Sequence, residues 1–254
     1  MNTGMKITIA ALSSMLLLGG SANFVAGAAP AAPAKTAEQQ TKAANKADQL
    51  EKEEIARINK LLEQNPDDSY VVFVSNELTK KKGLETFSMG NIMPEFNTYE
   101  DYLKKASTLE GTVLQQPTGL PEGYSFSIGK IMGPYSSAFT EEMRAEAKKL
   151  GKQIYSKKVN WKHAQYIDLE YKNGNDSIIF GYHRLDEKEN QEQKGYSYQT
   201  AEEFLKKYPK FDKNEVKNTL VWFEKGKQFT IKTNPGNPLT KEDLIKLAET
   251  MVKK

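Results

Sequence analysis

An Asn-Gly turn between two alternating segments constrains the fold of this chain more than any other feature. Residues 172–175 read Lys-Asn-Gly-Asn, and apolar and polar side chains alternate on both sides of them. Asn-Gly tolerates positive φ at both central positions of a two-residue hairpin loop. With Asn173 and Gly174 as that loop, the pattern predicts Leu169 opposite Ile178 on a single apolar face.

A second hairpin is predicted near the end of the chain. It turns at Lys225 and Gly226 and sets Trp222 opposite Phe229. Two antiparallel hairpins with matching apolar faces predict one antiparallel sheet that carries its core on one side.

Threonines followed by acidic residues predict the starts of helices. Thr98, Thr200 and Thr240 each precede such residues and then an apolar stripe, which is the pattern of an N-terminal cap. Another helix is predicted from Thr140 to Lys152. Hairpins alternating with helices predict an α+β fold: an antiparallel β-sheet with capped amphipathic helices packed on one face, preceded by an N-terminal helix.

The start of the chain has the pattern of a secretory signal peptide, predicted over residues 1–28. Lys6 precedes the apolar run Ile7–Leu18, and a small-residue site ends at Ala28. The apolar run is shorter than the ~20 residues that a bilayer span needs. We therefore expect cleavage near Ala28 and an extracytoplasmic, secreted or cell-wall-associated protein with no transmembrane span in the mature chain.

Three further segments are predicted after the signal peptide. Residues 29–66 form a flexible lead and an N-terminal helix, since Thr36–Gln64 is rich in Ala, Lys, Glu and Gln. Residues 67–96 form an N-terminal β segment, in which Tyr70–Val74 is the strongest strand. Residues 97–254 form the α+β domain.

Composition excludes several classes of protein. The 254 residues include no cysteine, so no disulfide, thiolate nucleophile or lipidated cysteine is available. An extracytoplasmic chain without disulfides suits a Gram-positive envelope. The net charge of +3 is too small to steer the chain toward nucleic acid, which we do not expect as a partner.

The chain has two histidines, His163 and His183. The predicted hairpin register places His163 opposite Arg184, so the two imidazoles point to opposite faces of the sheet. We therefore predict structural or surface roles for both histidines and no metal site.

Paired carboxylates are the other candidate for chemistry. Asp168 and Glu170 lie two apart and share a strand face with Tyr166, which we predict to be a solvated outer face. The chain has no Gly-x-Ser-x-Gly elbow and no Gly-rich phosphate loop. The lysines at 80–82 and 148–149, together with Lys157 and Lys158, could contact a polyanion such as a wall phosphate polymer, but solvated lysines explain them better. No catalytic, cofactor-binding or metal-binding residue is predicted, and no cofactor is expected.

Three motifs occur in an order that resembles a known family. They are Leu120–Tyr124, which reads LPEGY, the hairpin Leu220–Ile231 and the helix Lys241–Thr250. Over roughly Asn97–Lys254 the chain resembles an LPEGY-type domain of unknown function from extracytoplasmic proteins of Gram-positive spore-forming bacteria, including tails of some anti-sigma factors. The resemblance implies a noncatalytic sensing or binding module and supplies no catalytic residues.

Three functions remain as hypotheses. The first is a secreted or cell-envelope-associated, noncatalytic binding or sensing module whose partner is an envelope protein or a wall polymer. The alternative is an extracellular or cell-wall hydrolase, which needs a pocket holding Asp168, Glu170 or one histidine with a perturbed pKa. The second alternative is a structural matrix protein that self-associates through Tyr70–Val74 as an exposed edge strand.

Overall fold

The computed structural model describes residues 37–76, 78, 85–111, 113–185 and 195–251, with side chains from Asp48 onward. The helices are α1 (Ala37–Gln64), α2 (Tyr99–Ala106), α3 (Thr140–Lys149), α4 (Ala201–Lys207) and α5 (Lys241–Met251), and a 3-10 turn covers Ser136–Phe139. The strands are β1 (Ser69–Val74), β2 (Thr86–Gly90), β3 (Glu95–Phe96), β4 (Ser125–Met132), β5 (Ile154–Lys158), β6 (Tyr166–Asn173), β7 (Asp176–Arg184), β8 (Ser197–Gln199), β9 (Asn218–Glu224) and β10 (Lys227–Thr233). The predicted signal peptide and the lysines at 80–82 lie outside the described residues.

The strands form two antiparallel sheets. The larger has seven strands in the order β3-β4-β6-β7-β10-β9-β8, and the smaller has three in the order β2-β1-β5. The α+β class and the antiparallel pairing are therefore confirmed. The predicted segment 67–96 contributes strands to both sheets, since β1 pairs with β5 and β3 pairs with β4.

The hairpin of β6 and β7 forms with a register that differs from the predicted one. Its two-residue loop is Gly174 and Asn175, and Leu169 lies opposite Phe180 rather than Ile178. Gly174 has φ of +56° at the first central position, where a type II′ turn requires it. Because the register shifts by two residues, each side chain stays on its predicted face.

The hairpin of β9 and β10 matches its prediction. Trp222 lies opposite Phe229, and their rings stack with centroids 5.3 Å apart. Lys225 and Gly226 form the loop with φ of 48° and 74°. Positive φ at both central positions is the geometry of a type I′ turn, whose twist matches that of the strands.

The main core lies between the seven-stranded sheet and two helices. Strand residues that include Ile167, Phe180 and Ile231 are fully buried against Tyr102 of α2 and Leu244 of α5. Helices packed on one face of the sheet are therefore confirmed for α2 and α5. The alternation of apolar side chains along the strands explains why the core packs on this face.

The three-stranded sheet has helices on both of its faces. Val72 and Val74 of β1 pack with Ile58 of α1, whereas Val71 and Phe73 pack with residues of α3. All six residues of β1 are buried, and β1 pairs with a strand on each side. The prediction that Tyr70–Val74 is an exposed edge strand is therefore wrong.

Helix caps follow the predicted chemistry. Thr200 Oγ1 accepts a hydrogen bond from Glu203 N at 3.1 Å, and Glu203 Oε2 accepts one from Thr200 N at 2.9 Å. Thr98 Oγ1 likewise accepts from Asp101 N at 3.1 Å. An ordered N-terminal helix ahead of Asp48 stays a prediction. Within the described part of the chain, no helix combines the length and apolar character of a membrane span.

Candidate functional site

A shallow basin lies on the outer face of the seven-stranded sheet, opposite the face on which α2 and α5 pack. Its volume is about 200 Å³, and all of its lining residues come from strands β6, β7, β9 and β10. The lining side chains combine rings, hydroxyls, an amide and an amine: Tyr166, His183, Thr219, Val221, Gln228, Thr230 and Lys232.

Gly181 forms the floor of the basin. In the strand registers it lies opposite Asp168 on one side and Thr230 on the other. Its φ is not positive, so backbone conformation does not require glycine. The limited space around the residue does require glycine, because a Cβ here would overlap Thr230 Oγ1 and stand 3.1 Å from Asp168 Oδ1. A glycine inside a paired strand is typical of a place where a ligand or another chain approaches the backbone.

Asp168 is the unusual titratable group of this face. Its Oδ1 is buried and has no hydrogen-bond partner among the described residues. Burial raises the pKa of the Asp168 carboxyl to about 6, although the Tyr166 hydroxyl and the amines of Lys232 and Lys130 act in the opposite direction. The prediction of a solvated outer face is therefore wrong for Asp168 Oδ1, although Asp168 as a whole is half-buried.

Glu170 does not join Asp168 in a reactive pair. Its carboxylate lies 3.2 Å from the Lys172 ammonium, and it does not line the basin. On the neighbouring strand β4, Lys130 forms an ion pair with Glu95 at 2.5 Å. Lys232, in contrast, has no ion-pair partner among the residues described. Lys232 thus lines the basin as a cationic donor, and the unsatisfied Asp168 Oδ1 lies beneath the lining, next to Gly181.

The two histidines occupy separate places. His163 precedes β6, and its Nδ1 lies 3.0 Å from the backbone oxygen of Glu110. The predicted pairing of His163 with Arg184 is wrong, because the Arg184 N–H donates to Gln165 O. His183 lies on the outer face of β7, with its ring centroid 6.2 Å from that of Tyr166. Across the described ranges, no three His, Asp or Glu side chains converge on a point that could hold a metal.

The lysines considered for polyanion binding differ in their pairing. Lys157 Nζ contacts Glu142 at 2.6 Å and Glu146 at 2.9 Å, and Lys158 Nζ contacts Asp68 at 2.7 Å. Lys148 and Lys149 lie in the last turn of α3, where they complement the helix dipole. The pairing of Lys157 and Lys158 leaves little positive charge there for a polyanion.

A second cavity of about 500 Å³ lies beside Trp161. One face of the Trp161 ring lies against Gly133, where a Cβ would stand 2.8 Å from three ring atoms. Lys105 Nζ covers the ring at 4.4 Å from its centroid. Gly133 and the Lys105 ammonium thus both lie against the Trp161 ring, and the nearby Lys158–Asp68 pair is already neutralised. The residues around this cavity therefore serve the packing of the fold better than they serve the binding of a ligand.

The Leu120–Tyr124 motif has structural contacts. Tyr124 Oη accepts a hydrogen bond from Asn237 Nδ2 at 2.9 Å, ahead of α5. Gly123 has φ of +87° and packs on the amide of Asn173, at the end of β6. The motif thus joins two parts of the fold, and it does not line the basin.

Local patterns did not predict the basin, because its residues belong to four strands. One signal was present: the strand sequence IIFGYH has a glycine away from any turn. Compared with protein-family models, curated proteins and solved structures, the chain matches none. The resemblance to the LPEGY-type family therefore rests on its motifs alone.

Proposed function

We propose that this protein is a secreted or cell-envelope-associated, noncatalytic binding module that holds one hydroxyl-rich unit of an envelope polymer in the outer-face basin. The observation that carries the proposal is the position of two groups at Gly181: Lys232 lines the basin and forms no ion pair among the described residues, and the buried Asp168 Oδ1, which has no hydrogen-bond partner among them, lies against Gly181. A buried polar atom without a partner costs about 1–3 kcal/mol, so a ligand hydroxyl that reaches Asp168 Oδ1 past Gly181 binds with that advantage.

The chemistry of the lining favours a hydroxyl-bearing ligand. Hydroxyl groups both donate and accept hydrogen bonds, and the lining of the basin offers an ammonium, an amide, an imidazole and hydroxyls. The volume of about 200 Å³ is smaller than the ~300–1,000 Å³ of pockets that enclose whole ligands. One unit of a polymer laid across the open sheet suits this size.

The proposed location has separate support. The basic start, the apolar run and the small-residue site over residues 1–28 have the pattern of a signal peptide, and the chain has no cysteine. The LPEGY-type motifs point to the same compartment and to a noncatalytic role.

A hydrolase is the second candidate, and one observation favours it. Burial raises the pKa of Asp168 to about 6, in the range that suits a general acid, and its Oδ1 lies against Gly181 on the floor of the basin. Glycoside hydrolysis generally requires two carboxyl groups flanking the scissile bond. Glu170, the nearest second carboxylate along β6, is held by Lys172. This arrangement favours binding over hydrolysis.

Binding to soluble fragments of purified cell-wall glycan and wall polymer tests the proposal. Asp168→Asn and Lys232→Gln should each weaken binding about tenfold, since each removes a charged hydrogen-bonding group. Asp48→Asn and Lys246→Gln are matched controls at exposed helical positions and should bind as the unsubstituted chain does.

Two results would overturn the proposal. The first is the absence of binding to any wall fragment, and the second is binding that both basin variants retain. Release of new reducing ends that stops in Asp168→Asn would instead establish the hydrolase.

A further inference from the structure

Three aromatic side chains form a separate cluster at the end of α4. The ring centroids of Phe204 and Tyr208 lie 5.0 Å apart, those of Phe204 and Phe211 5.2 Å apart, and those of Tyr208 and Phe211 6.1 Å apart. None of the three rings belongs to any of the hydrophobic clusters formed by the described residues. The rings therefore pack on one another and add nothing to the buried core.

This cluster is well exposed to solvent. Tyr208 exposes 43% of its surface and Phe211 exposes 56%. The whole run 206–215 is exposed, and the 3.3 Å hydrogen bond from Phe211 N to Tyr208 O holds the turn that brings the rings together. Single exposed apolar residues are ordinary, but contiguous exposed rings are typical of an interaction surface.

Lysines surround the rings. Lys206, Lys207, Lys210 and Lys213 lie within eight residues, and Asp212 is the one acidic residue between Phe204 and Asn214. Lys206 is paired with Glu202 at 2.8 Å. Within the described residues, the ammonium groups of the other three form no ion pair, and Lys207 Nζ lies 5.4 Å from the Tyr208 ring centroid. The surface is therefore both aromatic and basic.

We propose that this aromatic–lysine surface, Phe204–Lys213, docks on an anionic lipid bilayer. A tyrosine ring prefers the headgroup level of a bilayer, where its apolar body and its hydroxyl are both accommodated, and phenylalanine rings bury at the boundary between headgroups and acyl chains. Lysines near an anionic membrane surface each add attraction, and stable anchoring generally needs two such signals together. An anionic polymer would pair with the lysines but has no apolar layer to receive Phe211. The charge and the rings together therefore fit a membrane better than a polymer.

Vesicles of phosphatidylglycerol and phosphatidylcholine test this proposal against vesicles of phosphatidylcholine alone. Every variant is used as the mature chain after the expected cleavage near Ala28, so that the apolar run Ile7–Leu18 is absent from the test. Phe211→Ser should weaken binding to the anionic vesicles about tenfold, which corresponds to the loss of one buried aromatic side chain. Tyr135→Ser is the matched control, because Tyr135 exposes 50% of its surface and has no lysine beside it.

A local probe separates docking at this surface from binding elsewhere on the chain. In Phe211→Trp, tryptophan emission should shift to shorter wavelength on anionic vesicles and fade as salt is raised, whereas Tyr135→Trp should show no shift. Absence of the shift would overturn the proposal. Equal binding to neutral vesicles would do so too, as would Phe211-dependent binding to a wall polymer without binding to vesicles.

Discussion

Thr230 lies opposite Gly181 in the pairing of β10 with β7, and its hydroxyl occupies the space that a Cβ on residue 181 would need. An alanine at this position must displace Thr230, and its Cβ also meets Asp168 Oδ1 at 3.1 Å. Overpacking of this kind costs about 1–3 kcal/mol. The floor of the basin therefore depends on the absence of one methyl group.

The first prediction is a coupling between these two positions. Gly181→Ala should lower the free energy of unfolding by about 1–3 kcal/mol, and the loss should shrink when Thr230→Ala is present. Urea unfolding of the two single variants and the double variant measures the coupling. If Gly181→Ala lowers the free energy of unfolding equally with Thr230 and with Thr230→Ala, then Thr230 does not limit the space at residue 181.

The second prediction concerns two buried tyrosines. Tyr102 donates its hydroxyl to Leu114 O at 2.9 Å, whereas the Tyr171 hydroxyl is buried without a partner among the described residues. Tyr171→Phe removes an unsatisfied group and should raise the free energy of unfolding by up to about 1 kcal/mol. Tyr102→Phe leaves the Leu114 carbonyl unpaired and should lower it by about 1 kcal/mol. Thermal unfolding of both variants measures the two changes in the free energy of unfolding, and the prediction requires that these changes have opposite signs.

The parts of the fold that local chemistry determines could be predicted from the sequence. The Lys225–Gly226 loop, the Thr200 cap and the apolar face that includes Ile167 all depend on residues close in the chain. The predicted register of the β6–β7 hairpin differs from the observed one by two residues. Gly174 can take either central position of a two-residue loop, and only the pairing of the whole strand selects one of them.

Features that depend on distant segments could not be predicted. β1 is a central strand because β5 joins its open side, and β5 lies far along the chain. The electrostatic surroundings of Asp168 likewise include lysines from β4 and β10, which are distant from β6 along the chain. Alternation along β6 indicates which face Asp168 occupies, but it carries no information about the side chains that neighbouring strands bring over it.

The third prediction tests the cap of α4. Thr200→Ala removes the oxygen that accepts from Glu203 N and should lower the free energy of unfolding by about 1 kcal/mol. Thr200→Ser keeps a hydroxyl there and should cost little. Because α4 supports Phe204 and Tyr208, hydrogen exchange of the α4 amides should rise in Thr200→Ala and stay unchanged in Thr200→Ser. Equal exchange in both variants would contradict a role for the cap.

The fourth prediction concerns pH and the Asp168 carboxyl. Burial raises its pKa in the folded state from 3.8 to about 6, with Tyr166, Lys232, Lys130 and Glu170 as the surrounding polar and charged groups. Between these two values the folded chain binds this proton more tightly than the unfolded chain does. The stabilisation from this group is therefore present below about pH 4 and is lost as pH rises through about 6. Asp168→Asn has no titratable group at this position, so its free energy of unfolding does not contain this pH-dependent contribution.

The free energy of unfolding of the unsubstituted chain, minus that of Asp168→Asn, should fall by roughly 1–3 kcal/mol between about pH 4 and about pH 7. Urea unfolding at closely spaced pH values measures this difference, and the step should centre between pH 4 and 6. Asp48→Asn, at an exposed position on α1, should give a difference without that step. A flat difference for Asp168→Asn as well would mean that the carboxyl titrates as a solvated group, and it would remove the unsatisfied acceptor on which the proposed binding site depends.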